Sequence, residues 1–173
     1  MKTLVIGHTS GIGEELTQIL EADGVSRSTG FDINNRNNDF NYTPYNTIIL
    51  NAYGDFTSQL QTLYEIIEND TFNKDTLVIV ISSIKAWNET PTDIFRSKYA
   101  VEKGALNHAI RNLNNLNYNI VSVCPSYVET SFNKGKDLPM MSVQYLALVV
   151  DRIVNDFYKF GIKTLEIVVE KVK

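Results

Sequence analysis

The sequence predicts a doubly wound α/β domain, on two observations. Short β-branched runs alternate in order with stretches of helical period, and the first run passes through a glycine cluster into a helix. The runs are 3–6 (TLVI), 47–50 (TIIL), 77–81 (LVIVI), 120–123 (IVSV) and 165–169 (LEIVV), and each reads as a buried strand. Between the first two, Ile12, Leu16, Ile19 and Leu20 fall on one face of a helix. Leu60, Leu63, Ile66 and Ile67 do the same before the third run. Two further helices are expected over 97–115 and 142–158, the second with Ser142 as its N-cap. Such alternation builds a parallel sheet covered by helices on both faces, a three-layer α/β/α arrangement.

The asparagine-rich segment 34–46 (NNRNNDFNYTPYN) favours loop conformations and is assigned no function. Neither an internal repeat nor a linker divides the 173 residues, so a single domain over 1–173 is expected. Hydrophobic residues at 43% and charged residues at 21% are the composition of an ordinary globular protein. A net charge of -4 argues against a general affinity for nucleic acid, which needs clustered Lys and Arg on phosphates. A single cysteine, Cys124, lies in an apolar run, where it reads as a small buried hydrophobe and forms no internal disulfide. With no signal-like or membrane-spanning stretch at the N-terminus, a cytoplasmic location without membrane contact is expected. His8 and His108 join no cysteine or acidic cluster, so no metal site is expected.

Three pieces carry chemistry. The first strand enters Gly7-His8-Thr9-Ser10-Gly11-Ile12-Gly13 and then a helix, where a pyrophosphate meets side-chain-free backbone and the positive end of the helix. The spacing Gly-x3-Gly-x-Gly differs from the commoner Gly-x-Gly-x2-Gly, and a plain glycine-rich turn is the alternative. Ser82-Ser83 ends the 77–81 strand, on the side of a parallel sheet where ligands sit, although a serine there also simply starts a turn. Tyr99 and Lys103 stand four apart, on one face of a helix. At an effective dielectric near 20 and roughly 5 Å, the ammonium favours tyrosinate by about 3 kcal/mol, or about 2 pKa units. A phenol so tuned exchanges a proton with a carbonyl or alcohol oxygen. In a chain with 9 tyrosines the spacing alone is near chance.

In their order, these pieces resemble the short-chain dehydrogenase/reductase family over nearly the whole chain. Gly7-x3-Gly11-Ile12-Gly13 is similar to its cofactor loop, and Asn51-Ala52-Tyr53-Gly54 to its Asn-Ala-x-Gly element. Ser83, Tyr99 and Lys103 match its catalytic serine, tyrosine and lysine, and Pro125-Ser126-Tyr127-Val128-Glu129-Thr130 its Pro-Gly-x-Val-x-Thr segment. The resemblance implies a Rossmann-type sheet and hydride transfer between a nicotinamide nucleotide and a small carbonyl or alcohol substrate. In it Tyr99 is the acid/base and Ser83 orients the carbonyl, while Lys103 lowers the tyrosine pKa and holds the ribose. Val128 and Thr130 meet the carboxamide end, and Asp32-Ile33, Asn51 and Ala52 the adenosine half. Association into a dimer or tetramer through flanking helices is also implied.

The end of the second strand reads Val25-Ser26-Arg27-Ser28-Thr29. An acidic residue there would bind a ribose 2′-hydroxyl and an arginine a 2′-phosphate, so NADP(H) is favoured over NAD(H), with Arg27 and Ser28 at the phosphate. An exposed loop arginine is the alternative.

The pattern also departs from the family. Ile6 and Ser126 stand where threonine and glycine are usual, Asn51 and Ser83 are only 32 residues apart, and no asparagine is placed to complete a catalytic tetrad. The segment 131–141 in the place of the substrate loop is short; Met140 and Met141 there, and Trp87, are each either pocket lining or packing. The trimming leaves open a second reading, a nucleotide-binding sensor that does not turn over.

Overall fold

A computed structural model describes residues 1–35, 39–87 and 93–171. Six strands form one parallel sheet: β1 (Thr3–Ile6), β2 (Asp23–Val25), β3 (Thr47–Leu50), β4 (Leu77–Ile81), β5 (Asn119–Pro125) and β6 (Glu166–Val169). Their order is β2-β1-β3-β4-β5-β6, and the register carries Val5 opposite Ile49, Ile49 opposite Ile79, and Ile79 opposite Val121.

Because successive side chains of a strand point to opposite faces, each apolar run supplies two cores. Leu4, Ile6, Ile48, Leu50, Val78 and Val80 meet helices α2 (Ser58–Glu68) and α3 (Ile94–Asn115) on one face. Val5, Ile49, Ile79 and Val121 meet α1 (Gly11–Ile19) and α4 (Val143–Phe160) on the other. The doubly wound expectation is met, and the Rossmann-type three-layer arrangement with it.

Helix ends follow local chemistry. Ser142 caps α4 by accepting from Tyr145 N at 3.1 Å, as expected, and Gly161 closes it with a left-handed φ of +65°. Helix α3 begins three residues earlier than its period suggests, because Asp93 accepts from Arg96 N at 2.8 Å and caps it there.

The asparagine-rich segment has a packing role that its polarity hides. Among the described residues β2 is followed by a single 3-10 turn (Arg27–Thr29) and no α-helix; Phe31, Ile33 and Tyr42 are buried against the sheet instead. Phe40 packs edge-on to Phe31 at 5.8 Å and stacks with Tyr45 at 6.1 Å, so aromatic rings cover that end of the sheet. No helix among the described residues is long and apolar enough to cross a membrane.

Candidate active site

Strand order reverses between β1 and β3, so their connections leave in opposite directions and open a crevice at the carboxyl ends. The glycine loop after β1 and the Asn51–Gly54 turn after β3 form its floor. Gly7 takes φ +92°, and a Cβ there would stand 2.7 Å from the Ala52 backbone. A Cβ on Gly13 would run into the Gly7 carbonyl oxygen and lie 2.7 Å from Asn51 Nδ2. Asn51 Nδ2 donates to that same carbonyl at 2.9 Å and locks the two turns together.

The crevice holds about 240 Å³ and brings together Gly7, Thr9, Ser10, Arg27, Ile33, Asn51 and Ala52 of the expected cofactor residues. Ser10 begins α1 without a side-chain cap, leaving the first-turn N–H groups uncapped for an anion. A floor that any Cβ would fill, above a helix start, fits a dinucleotide phosphate. Ile12 enters α1 half-buried, and Gly11 faces Thr130, whose methyl would lie 3.3 Å from a Cβ on it.

The other expected cofactor residues surround the crevice without lining it. Ser28 is on an exposed 3-10 turn, its hydroxyl 2.8 Å from that of Ser26, and Ser26 takes the lining position instead. Asp32 accepts from Asn34 N at 3.0 Å, and Gly54 is pressed against Asn34. Pro125 ends β5, Val128 is buried, and Thr130 lines a second, open depression of about 360 Å³ with Met140. Met141 is core packing, and Trp87 lies on the Arg111 guanidinium at 4.5 Å rather than over the crevice.

Ser83 caps a 3-10 turn after β4, its Oγ accepting from Lys85 N at 3.2 Å. Tyr99 sits between Tyr53, with ring centres 5.3 Å apart, and Phe132 at 6.3 Å. Lys103 is 2% exposed; its Nζ lies 5.4 Å from the Tyr99 ring centre and 5.3 Å from that of Tyr53. Tyr53, which lines the crevice, thus packs against both Tyr99 and Lys103, and the Ser83 hydroxyl meets the Tyr99 phenol.

No protein-family model matches the chain, and no curated protein matches it in sequence. Solved structures do match. An alcohol dehydrogenase from the archaeon Thermococcus sibiricus, complexed with 5-hydroxy-NADP, superposes with a TM-score of 0.75 at 15% identity, over 98% of this chain and 96% of that one. A small-chain dehydrogenase in complex with NADPH gives 0.71 at 16% identity, over 99% and 96%. The 3-alpha-hydroxysteroid dehydrogenase of Pseudomonas sp. B-0831, complexed with NADH, gives 0.70 at 12%, over 98% and 95%. The chain shares its fold with these structures.

Within that fold one expectation is corrected. Lys103 does not bring the Tyr99 phenol down: burial pushes Tyr99 above its ordinary value, Glu102 adds to the rise, and only the Ser83 hydroxyl draws it back. The i,i+4 spacing sets the Cβ atoms close, but Lys103 Nζ donates to Gln59 Oε1 and, at 3.2 Å, to the Ile81 carbonyl. Burial also lowers the pKa of the lysine itself, to about 8.

Three neighbours escaped the sequence reading. Gln59 Nε2 donates to the Leu50 and Ile81 carbonyls at 3.2 and 3.1 Å, tying α2 to two strand ends, while its oxygen receives Lys103. Glu102 is 1% exposed, and its oxygens lie beside the Tyr53 hydroxyl and the start of α2 without hydrogen-bonding geometry to either. Burial pushes its carboxyl up, against the pull of Lys103. The signal was polarity on a core stripe: Gln59 precedes Thr62, Leu63 and Ile66, and Glu102 precedes Leu106 and Ile110, at helical spacing. Tyr53, as the variable residue of its turn, carried no signal.

Proposed function

We propose that the chain is a nicotinamide-dependent oxidoreductase, transferring hydride between NADP(H) and a small carbonyl or alcohol substrate. The observation that supports it most is the convergence of Ser83, Tyr99 and buried Lys103 beside a crevice whose floor has no room for a Cβ at Gly7 or Gly13. When bound, the nicotinamide supplies or accepts the hydride. The Ser83 oxygen accepts from Lys85 N–H and its hydroxyl meets the Tyr99 phenol; a bound substrate carbonyl would take that hydroxyl's proton as its hydrogen-bond donor instead. Tyr99, held protonated by burial, gives its proton to that oxygen as the hydride reaches the carbon, yielding the alcohol. The tyrosinate left behind has the Lys103 ammonium 5.4 Å from its ring centre, and the Ser83 hydroxyl is the group that draws its pKa down. In the oxidising direction each step reverses.

Arg27 at the crevice rim, with Ser26 beside it, supports NADP(H) over NAD(H). The exposed side chains of Phe56 and Tyr64, near and on α2, and of Phe95 and Val101 on α3 support a homodimer through these helices. Buried, unpaired Cys124 suits a reducing cytoplasm, and the net charge of -4 suits neither nucleic acid nor an anionic membrane.

The second reading is a sensor that binds the nucleotide without turnover. It is favoured by the engagement of Lys103 with Gln59 and Ile81, which competes with a ribose for the ammonium. The two are separated by NADPH oxidation across a carbonyl panel, with Tyr99→Phe as control. The enzyme reading expects the variant to fall at least 100-fold with nucleotide affinity retained. No oxidation above background in either protein, with calorimetric binding of NADPH, would establish the sensor.

A further inference from the structure

Helix α3 carries a polar residue at each turn of one stripe: Tyr99, Lys103, Asn107 and Arg111, each four residues from the last. The first three meet consecutive residues at the end of β4. Lys103 Nζ donates to the Ile81 carbonyl at 3.2 Å, the Ser82 hydroxyl donates to Asn107 Oδ1 at 2.6 Å, and the Ser83 hydroxyl meets the Tyr99 phenol. Ser83, Tyr99 and Lys103 have their places in the reaction; Asn107 has none so far. It is buried, and its Oδ1 also accepts from Ser122 Oγ of β5 at 2.9 Å. Its Nδ2 donates to Glu166 Oε1 of β6 at 3.1 Å and to Cys124 Sγ at 3.4 Å. Both lone pairs and both hydrogens of the amide are thereby used. Arg111 closes the far side by donating to Glu166 Oε2 at 3.2 Å, with Trp87 lying on its guanidinium.

We propose that Asn107 is a positioning residue of the reaction: its amide fixes where α3 sits on β4, β5 and β6, and so sets Tyr99 against the Ser83 hydroxyl. This rests on the oxidoreductase reading and adds to it a group that touches neither substrate nor nucleotide. Apolar side chains of matching shape would hold the helix to the sheet with little loss of stability, so adhesion alone does not call for a buried amide. What apolar contact lacks is direction. Hydrogen bonds to three strands are made together only at one height and rotation of the helix, and a fully satisfied network of this kind is rigid. The bond at Ser82 is one residue from the reacting hydroxyl, and Asn107 is one turn from Lys103 and two from Tyr99. A displacement of about 1 Å at reacting groups can cost about 100-fold in rate, so the setting of this helix bears on turnover. The polarity of the amide is also fixed by its surroundings. Hydroxyl donors face Oδ1 and a carboxylate faces Nδ2, so an aspartate in place of Asn107 would bring two carboxylates face to face.

Kinetics and a spectroscopic signature test this together. Asn107→Asp keeps the acceptor that Ser82 and Ser122 use and turns the donor towards Glu166 into a second acceptor. Its kcat for NADPH oxidation is expected to fall at least about tenfold, with KM for NADPH within about twofold. Asn107→Asp/Glu166→Gln, whose new amide donates back to the aspartate, should recover most of the rate. Leu113→Ala, in the core on the same helix, lowers stability without touching the network and should keep kcat within about twofold. The placement of the phenol is read by NMR of protein labelled with carbon-13 at tyrosine Cζ, where the Tyr99 signal is the one missing from Tyr99→Phe. Ser83→Ala should shift that signal, and Asn107→Asp should shift it in the same direction. Full rate in Asn107→Asp, no recovery in the double variant, or an equal loss in Leu113→Ala would overturn the proposal. So would a Tyr99 signal that either Ser83→Ala or Asn107→Asp leaves unmoved. Where the unaltered protein oxidises no NADPH, the NMR decides alone: a shifted signal upholds the placement by Asn107 and overturns the catalytic reading instead. If Asn107→Asp does not fold, Ser122→Ala removes one donor from the same amide and is scored in the same way, with a smaller loss expected.

Discussion

Lys103 gives its buried ammonium to Gln59, not to the phenol of Tyr99. A charged donor with no exposed surface depends on its acceptors, and here these are the Gln59 side chain and the Ile81 carbonyl. Gln59→Leu keeps much of the volume and removes one of them. Loss of about 2 kcal/mol is expected, read as a lower urea midpoint at unchanged slope, whereas Lys103→Met/Gln59→Leu together should cost less than the sum.

Glu102 makes stability depend on pH. Its folded pKa is raised, so its contribution is complete below the unfolded carboxyl value and is lost as pH rises through the folded one. Glu102→Gln should therefore melt like the parent at acid pH and progressively above it towards neutrality. Paired melting curves between pH 4 and 8 measure the divergence, and parallel curves would contradict it.

Two glycines should respond in opposite ways to alanine. At Gly13 the new Cβ strikes the Gly7 carbonyl and the Asn51 amide, so Gly13→Ala should lose about 2–3 kcal/mol and at least tenfold in NADPH affinity. At Gly104, inside α3, the nearest atom is the Ala86 carbonyl oxygen at 3.7 Å. Gly104→Ala should gain about 1 kcal/mol from helix propensity. Thermal melts with and without NADPH separate the two.

Arg27 sets nucleotide choice if its guanidinium meets a 2′-phosphate. Arg27→Ala is then expected to weaken NADPH at least tenfold while leaving NADH within about twofold, as read by calorimetry. Equal weakening of both would place Arg27 on the pyrophosphate instead.

The layers of this fold were legible because parallel strands buried on both faces leave unmistakable apolar runs, and the α1 and α2 stripes were equally clear. The short β2 has no apolar run of its own, since Asp23-Gly24-Val25 carries a charge and a glycine and is held by pairing with β1; only its end at Val25 was read. Phe40, Tyr42 and Tyr45 were hidden in a segment whose asparagines dominate its composition, although with Phe31 they cover that end of the sheet. At the site, Gly7, Ser83, Tyr99 and Lys103 were legible through order along the chain. The destination of the Lys103 amine was not, because a four-residue spacing fixes where a side chain starts and burial decides where it ends. The lysine-bonded phenol of this site is Tyr127, whose partner Lys85 is 42 residues away.

The most direct test follows the hydride itself. With NADPH deuterated at C4 of the nicotinamide and a carbonyl substrate from the panel, mass spectrometry of the product alcohol should show one deuterium on the carbinol carbon, and Tyr99→Phe should reduce labelled product at least 100-fold. Unlabelled product, or labelled product formed equally by Tyr99→Phe, would contradict hydride transfer with Tyr99 as the proton donor.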